Sequence, residues 1–426
     1  MTILVVGGGG REHALIRKIK ESPKVTDIYC TPGNGGISYD AKCFNVGATD
    51  IDGIVNLAKE LSVDLVVVAP DDPLVMGMVD ALNDAGFKTF GPKANAAIIE
   101  GSKVFSKQLM LDYNIPTASY KAFDDAGEVL SYIKAQNSYP TVIKADGLAL
   151  GKGVIIAENY QEAENGVNSI MNDKIFGDSG NQVIVEEFIT GPEVSVLAFT
   201  DGKCVKPMVS SMDHKRALDG DKGLNTGGMG TISPNPFYTD DIAKECMDKI
   251  FIPTINAMNS EGRTFKGCLY FGLMLTAKGP KVIEYNCRFG DPETQVVLPR
   301  LKTDIVEIFD AINNETLSDL KIEWSDEQCA CVIMASGGYP SSYQKGIEIN
   351  GLENGQLSDL TIYHAGTAVK NNKLVTSGGR VLGVTAMGQT LEKALQKAYD
   401  GVDKIKFENA HYRKDIGKRA LDLQNN

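Results

Sequence analysis

Val282-Ile283-Glu284-Tyr285-Asn286-Cys287-Arg288-Phe289-Gly290-Asp291-Pro292-Glu293-Thr294-Gln295 is the stretch from which the rest of the chain is read. Its first half alternates apolar and polar residues, the period of a half-buried strand. Glu284, Asn286 and Arg288 then share one face, and Ile283, Tyr285 and Cys287 the other. A carboxylate, an amide oxygen and a guanidinium point the same way within about 14 Å. Hard oxygen donors suit Mg²⁺, and a guanidinium can clamp an anion through two parallel hydrogen bonds. This is equipment for metal-assisted phosphoryl transfer. The plainer alternative is a half-exposed strand with solvated polar residues, and the Phe-Gly-Asp-Pro-Glu run directly after it favours the first reading.

Outward from that strand, the first hundred residues alternate strand and helix: Thr2 to Val6, a glycine loop, Glu12 to Lys20, Asp27 to Cys30, Ile51 to Leu61, Leu65 to Ala69 and Leu74 to Ala85. Short connections of this kind predict a doubly wound parallel sheet, with ligands at the carboxyl ends of its strands. A helix from Ser102 to Tyr113 leads through Ile115-Pro116 into a smaller unit with strands Thr141 to Ala145, Val154 to Ala157 and Val183 to Phe188. Strands Val194 to Thr200, Cys204 to Ser211, Gly267 to Thr276 and Lys281 to Tyr285 follow, with a helix Asp240 to Met258. Two α+β lobes with a cleft between them are expected. After Trp324-Ser325-Asp326, a strand Cys329 to Ala335 opens a last small α+β domain, with Arg380 to Ala386 and Leu391 to Val402 as strand and helix. The expected division is 1–101, 102–326 with a mobile small lobe about 120–191, and 327–426.

Composition bounds the possibilities. A chain of 426 residues exceeds one hydrophobic core. The 55 acidic against 43 basic side chains leave a net charge of -12, which argues against nucleic acid or an anionic membrane as a bulk partner. Anionic substrates must therefore meet local positive sites. Met1 and Thr2 run straight into an apolar strand with no charged leader, and Leu65 to Ala69 is too short to cross a bilayer, so a cytoplasmic protein is expected. The eight cysteines include no Cys-x-x-Cys pair and read as reduced, with Cys329 and Cys331 in a core.

Two glycine-rich loops narrow the chemistry. Gly7-Gly8-Gly9-Gly10-Arg11 lies between strand and helix, where backbone amides and a helix N-terminus favour a phosphate. The dinucleotide fingerprint needs a third small residue where this chain has Glu12 or His13, and an acid after the second strand, where it has Cys30-Thr31-Pro32. A nicotinamide or flavin dinucleotide is thereby disfavoured, while a loop that merely packs helix on sheet remains the alternative. In Lys144-Ala-Asp-Gly147-Leu-Ala-Leu-Gly151-Lys152-Gly153-Val154 the spacing is wrong for a Walker loop, and a strand follows rather than a helix. A flap between two strands that closes over phosphates is the better reading.

Arg288-Phe-Gly-Asp-Pro-Glu-Thr-Gln resembles the signature of the glycinamide ribonucleotide synthetase family, ATP-grasp enzymes of purine biosynthesis. Gly8-Gly9-Gly10-Arg11-Glu12-His13-Ala14, Lys152-Gly153-Val154 and Asn225-Thr226-Gly227-Gly228-Met229-Gly230 are similar to that family too, so the resemblance spans essentially the whole chain. It implies an N-terminal substrate-binding domain, a two-lobed ATP-grasp domain and a C-terminal domain. It also implies ATP-dependent ligation of glycine to 5-phosphoribosylamine through glycyl phosphate, with Mg²⁺ or Mn²⁺, in a monomer or homodimer. Glu284 and Asn286 would hold the metal. Lys103, Lys144, Gly151, Lys152 and Gly153 would meet the nucleotide phosphates, with Glu186, Glu187, Phe188 and Ile189 at the adenine and Glu193 at the ribose. Gly9, Gly10, Arg11, Glu12, Gly35 and Asp72 would line the pocket of the phosphorylated amine. Lys215, Asn225, Gly227, Gly228, Arg288, Gly290 and Asp291 would surround the acyl phosphate. Arg288 and Lys144 would act in catalysis.

Asp213 or Asp291 is the expected aid to the attacking amine. His214 has no visible partner and reads as structural, and His13, His364 and His411 carry no sequence context for chemistry. Many ATP-grasp enzymes place a further metal carboxylate on the preceding strand, where this chain has Tyr270-Phe271-Gly272-Leu273-Met274. The rivals are another ATP-grasp ligase or carboxylase acting on a purine precursor, and a non-catalytic nucleotide sensor.

Overall fold

Ile3, Leu4, Val5 and Val6 are all fully buried, as expected for a strand covered on both faces. They form the centre of a five-stranded sheet whose strands run, in spatial order, Lys42–Cys43, Asp27–Pro32, Thr2–Gly7, Leu65–Val68 and Lys88–Phe90. Every pairing is parallel. The chain reverses its direction of winding beside Thr2–Gly7, so the loops after that strand and after Leu65–Val68 flank one crevice. This computed structural model describes residues 1–148, 153–352 and 359–424.

A small lobe follows, an antiparallel sheet in the order Tyr120–Phe123, Val183–Glu187, Thr141–Ala145, Val154–Ala157, packed on helices Ala126–Gln136 and Tyr160–Val167. Its core, with Val129, Ile133, Ile143 and Val185, is separate from the others. The larger lobe is the sheet Val205–Pro207, Glu193–Thr200, Gly267–Thr276, Gly279–Asn286. It shares one core with the N-terminal sheet, in which Leu4 and Val66 join Phe251, Phe271 and Tyr285. A last sheet orders Met212–Asp213, Gly230–Ser233, Gln328–Ala335, Arg380–Gly388 and Thr361–His364 under helix Leu391–Val402. Two of its five strands thus come from residues 212–233.

Four local expectations are corrected. The helix expected from Leu74 to Ala85 is two, Asp71–Val75 and Met78–Asp84, because Gly77 adopts φ +93 between them. The strand expected from Cys204 to Ser211 ends at Pro207, which has no N–H to donate. The helix from Asp240 continues to Ser260 through a π turn at Met247–Phe251, just before Pro253 removes a donor. In the strand that opened the sequence reading, the register with Gly267–Thr276 shifts between Gly272 and Leu273, which pair with Glu284 and Val282. That bulge turns Val282 into the core beside Tyr285 and Cys287 and leaves Ile283 half-buried toward the cleft. All eight cysteines are free thiols. Among the described residues no helix is long and apolar enough to cross a membrane.

Candidate active site

The small lobe and the larger sheet face each other across a cleft of about 380 Å³. Val142, Val154 and Ile156 form one apolar wall, and Met274 and Ile283 the other. A slot of this kind suits a planar base, and Glu187, Phe188, Ile189 and Glu193 line its rim. Met274 was not singled out in the sequence, and Ile283 reaches the cleft only because of the bulge. Lys281 ion-pairs with Glu187 at 2.8 Å, and the Phe188 ring is exposed.

Deeper in, a second cavity of about 90 Å³ shares Lys144, Glu186 and Glu284 with the first and adds Lys103, Lys107, Gly153, Asn286 and Arg288. Lys103 follows Ser102, whose Oγ caps the helix Lys103–Asp112 by accepting from Phe105 N and donates to Asp146. Its ammonium donates to Gly147 O, and burial lowers its pKa. Lys144 donates to Ile283 O at 3.1 Å and stands 3.0 Å from Glu186 Oε1, while Lys107 stands 3.2 Å from Glu186 Oε2. Burial pushes Lys107 down to about 8, against the pull of Glu186. Glu186, expected at the adenine, is buried and pairs with both lysines. Lys107 belongs to no motif and was missed; Gly151 and Lys152 lie outside the described residues.

Glu284 and Asn286 both line the inner cavity. Glu284 sits opposite Gly272, and a Cβ there would come within 2.8 Å of Glu284 Cγ. The strand position opposite Glu284 therefore has no room for a side chain, and no second carboxylate comes from it. Lys215, 3.2 Å away, holds the Glu284 carboxyl down to about 2, so it is ionised at any working pH. An ionised carboxylate beside an amide oxygen fits a hard divalent cation. Among the described residues no group of three or more His, Cys, Asp or Glu side chains is arranged to hold a metal, so such a cation would take its remaining ligands from nucleotide and water. Lys215, expected at the substrate, bridges Glu284 and, at 3.6 Å, Glu193.

Three other expectations change with the geometry. Arg288, read as a free clamp, already has protein carboxylates: Nη2 is 2.9 Å from Glu100 Oε1 and 3.4 Å from Asp71 Oδ2. Burial raises the pKa of Glu100, whereas Asp71, also buried, is held below its ordinary value by Arg288 and Arg11. Asp71, not Asp72, lines the inner cavity. Asp291 accepts from Gln295 Nε2 at 2.8 Å and lies 3.4 Å from Arg380 Nη2; despite burial, Arg380 and Arg11 keep it low. It is an anchored carboxylate and a poor base. Asp213 is the opposite case, raised well above the ordinary carboxylate range by burial and by neighbouring Glu293. It accepts from His214 N at 2.7 Å. Behind it, Ser195 Oγ meets Tyr270 OH at 2.8 Å and donates to Glu293 Oε1 at 3.1 Å.

At the end of the parallel sheet Gly8, Gly9, Gly33 and Asn34 face Arg380 and Ser377 across an opening of about 370 Å³. Arg11 and Glu12 do not point into it as expected. Glu12 is buried, its Oε2 accepting from Gly9 N at 2.6 Å and its Oε1 from Arg11 Nε at 2.8 Å, so the pair braces the loop. Gly10 is there because a Cβ would come within 2.6 Å of Gln295 Nε2. Gly35 docks the C-terminal hairpin: its N donates to Thr367 O, and a Cβ would strike Leu374 and Ala368. Gly290 likewise packs on Glu293, and Asn225 lines the outer cleft. Gly227 and Gly228 are gripped by Tyr339 and Arg380 of the last domain.

His214 is structural, as read. Its Nδ1 faces Gly230 O at 3.1 Å and its Nε2 accepts from Gly417 N at 3.0 Å, and burial takes its pKa down to about 4. The unfolded chain binds this proton near pH 6.5 and the native chain refuses it until about pH 4, so native stability falls as pH drops through that window. His214→Gln should flatten that part of a urea-midpoint-against-pH curve and leave the pH dependence of turnover unchanged. A lost acidic limb in the rate profile would make His214 a base after all.

Three family models cover the chain in order: the phosphoribosylglycinamide synthetase N domain at residues 1–100, its ATP-grasp (A) domain at 101–294 and its C domain at 329–419. A phosphoribosylamine–glycine ligase from Caldanaerobacter subterraneus is 49% identical over 416 residues, covering 98% of this chain and 99% of its own. The crystal structure of the phosphoribosylamine–glycine ligase of Thermotoga maritima superposes with a TM-score of 0.85 at 32% identity, over 98% of this chain and all of that one. The biotin carboxylase domain of Hydrogenobacter thermophilus 2-oxoglutarate carboxylase shares the fold, at a TM-score of 0.72 and 15% identity over 96% of this chain and 91% of that one. The chain belongs to the phosphoribosylglycinamide synthetase family.

Proposed function

We infer that this protein is an ATP-dependent, ADP-forming carbon–nitrogen ligase that joins glycine to 5-phosphoribosylamine in purine biosynthesis. The observation that carries the reading is the convergence on one cleft of Lys103, Lys144, Glu284, Asn286 and Arg288 beneath a flat apolar slot. It is joined by the match of whole-length relatives that bear that activity in their names.

A glycine carboxylate oxygen attacks the γ-phosphorus of ATP, and ADP leaves. The amine nitrogen of 5-phosphoribosylamine then attacks the carbonyl carbon of glycyl phosphate, gives up a proton and expels inorganic phosphate. Lys103, Lys107 and Lys144 neutralise and align the nucleotide phosphates. Glu284 and Asn286 would hold a divalent cation, Mg²⁺ or Mn²⁺, which would supply charge neutralisation at the reacting phosphate. Arg288, fixed from behind by Glu100 and Asp71, presents its remaining donors to the acyl group. Asp213, whose carboxylate takes protons readily, receives the amine proton. The glycine loop and the opening beside it hold the phosphorylated ribose.

The test is ADP release with glycine and freshly generated phosphoribosylamine, against mixtures lacking either one. Equal release without glycine would replace the ligase by an ATPase or a sensor, and full coupling to a different amine acceptor would identify another purine-precursor ligase.

A further inference from the structure

Arg380 opens the strand Arg380–Gly388 of the last domain, and no motif marks it. Its Nη1 donates to Gly227 O at 2.5 Å and to Asp291 O at 2.8 Å, with Gly228 O at 3.5 Å. One nitrogen thus ties together the loop beside Asp213 and the loop that follows Arg288. Its Nη2 is differently placed, 3.4 Å from Asp291 Oδ1, an ion-pair distance long for a hydrogen bond. The same guanidinium lines the opening beside Gly8 and Gly9, where it is the one cationic side chain among the lining residues described; Asn34, Tyr339, Thr367 and Ser377 supply amide and hydroxyl groups. Asp291, the lining anion, is already engaged by Gln295.

We propose that Arg380 binds the phosphate of the phosphoribosylamine through Nη2 and, through Nη1, fixes where the acceptor loops stand relative to that phosphate, so that one residue of the C-terminal domain sets the distance from phosphate anchor to reacting amine. The proposal rests on the reading that this opening receives the phosphorylated ribose. A planar, five-donor head can serve phosphate and three carbonyl oxygens at once, whereas a lysine ammonium can serve only one of these tasks. Binding and positioning are therefore separable by substitution.

The experiment measures affinity of the intact protein for glycinamide ribonucleotide, with ribose 5-phosphate as a second probe, and steady-state constants for glycine and ATP. Arg380→Gln should weaken both phosphorylated probes about 10- to 100-fold, the range for losing a charge-assisted hydrogen bond, with glycine and ATP constants within about threefold of wild type. Arg380→Lys should recover most of the probe affinity yet leave kcat at least about tenfold low, because the carbonyl ties are not rebuilt. A wall variant, Ser377→Phe, distinguishes the two levels of the argument. If it blocks probe binding while Arg380→Gln does not, the opening is the ribose phosphate site and Arg380 is only a brace. If neither affects binding, the phosphorylated ribose lies elsewhere. Should Arg380→Gln fail to fold, unchanged kcat and unchanged probe affinity in Arg380→Lys overturn the proposal.

Discussion

Glu284→Gln is expected to lower turnover on the order of 10²- to 10³-fold at saturating ATP and Mg²⁺, the effect of losing one preorganised charge in a transition-state cradle. The substitution keeps the shape opposite Gly272 and keeps a hydrogen-bond acceptor for Lys215, so far-UV dichroism and the ATP constant should change little. Its signature is a raised Mg²⁺ requirement, read by metal titration of the rate. Near-normal turnover would remove Glu284 from the metal site. The same variant has a stability signature. The wild-type carboxyl, held to about 2 by Lys215, contributes stability above its unfolded value near 4.5 and loses that contribution as pH falls from 4.5 to 2. Glutamine has no such titration, so the two proteins should converge in stability at low pH. With 41% of the Glu284 side chain accessible to water, solvent screening keeps the difference small.

The largest effect on stability is expected at Arg288. Its guanidinium meets Glu100, 8% exposed, and removing it leaves a buried carboxylate unpaired beside Asp71. Arg288→Met should cost about 3–5 kcal/mol in a urea titration. The double variant Glu100→Gln, Arg288→Met should recover much of that loss, because the stranded charge is gone as well. Arg288→Lys, which keeps the charge, should stay folded and instead weaken glycine use far more than ATP use, since an ammonium cannot hold Glu100 and still present two coplanar donors. If Arg288→Met is as stable as wild type, the pair with Glu100 contributes nothing. If Arg288→Lys raises the ATP constant alone, the residue belongs to the nucleotide.

What could be read from the sequence was local. Alternation along Gly279–Asn286, the apolar run of Thr2–Gly7 and the glycine loop all act within a few residues, and the strand period put Glu284 and Asn286 on the one face that lines the inner cavity. What escaped depends on residues far apart in the chain. Asp71 meets Arg288 across 217 positions, and Arg380 meets Asp291 across 89, so neither partner leaves a trace in spacing. The bulge that redirects Ile283 is set by the partner strand at Gly272, which a single strand's period cannot reveal. Glu12 and Gly35 have packing roles that the sequence hides for a related reason. A polar or flexible residue in a phosphate-type loop looks like a ligand contact, yet these two satisfy the loop's own amide and the docking of a hairpin from the other end of the chain.

The strands Met212–Asp213 and Gly230–Ser233 have a consequence for how such a protein can be inherited. Both lie in the catalytic half of the chain, yet they form one side of the last sheet and bring Ile232 into its core. A fragment beginning after residue 326 would carry a bare hydrophobic edge at Gln328–Ala335, open to pairing with any strand it met. The third domain is therefore not a detachable module. Recombination that exchanged it alone would break the sheet at Gly230–Ser233, so the catalytic and terminal portions can be passed on intact only as one block.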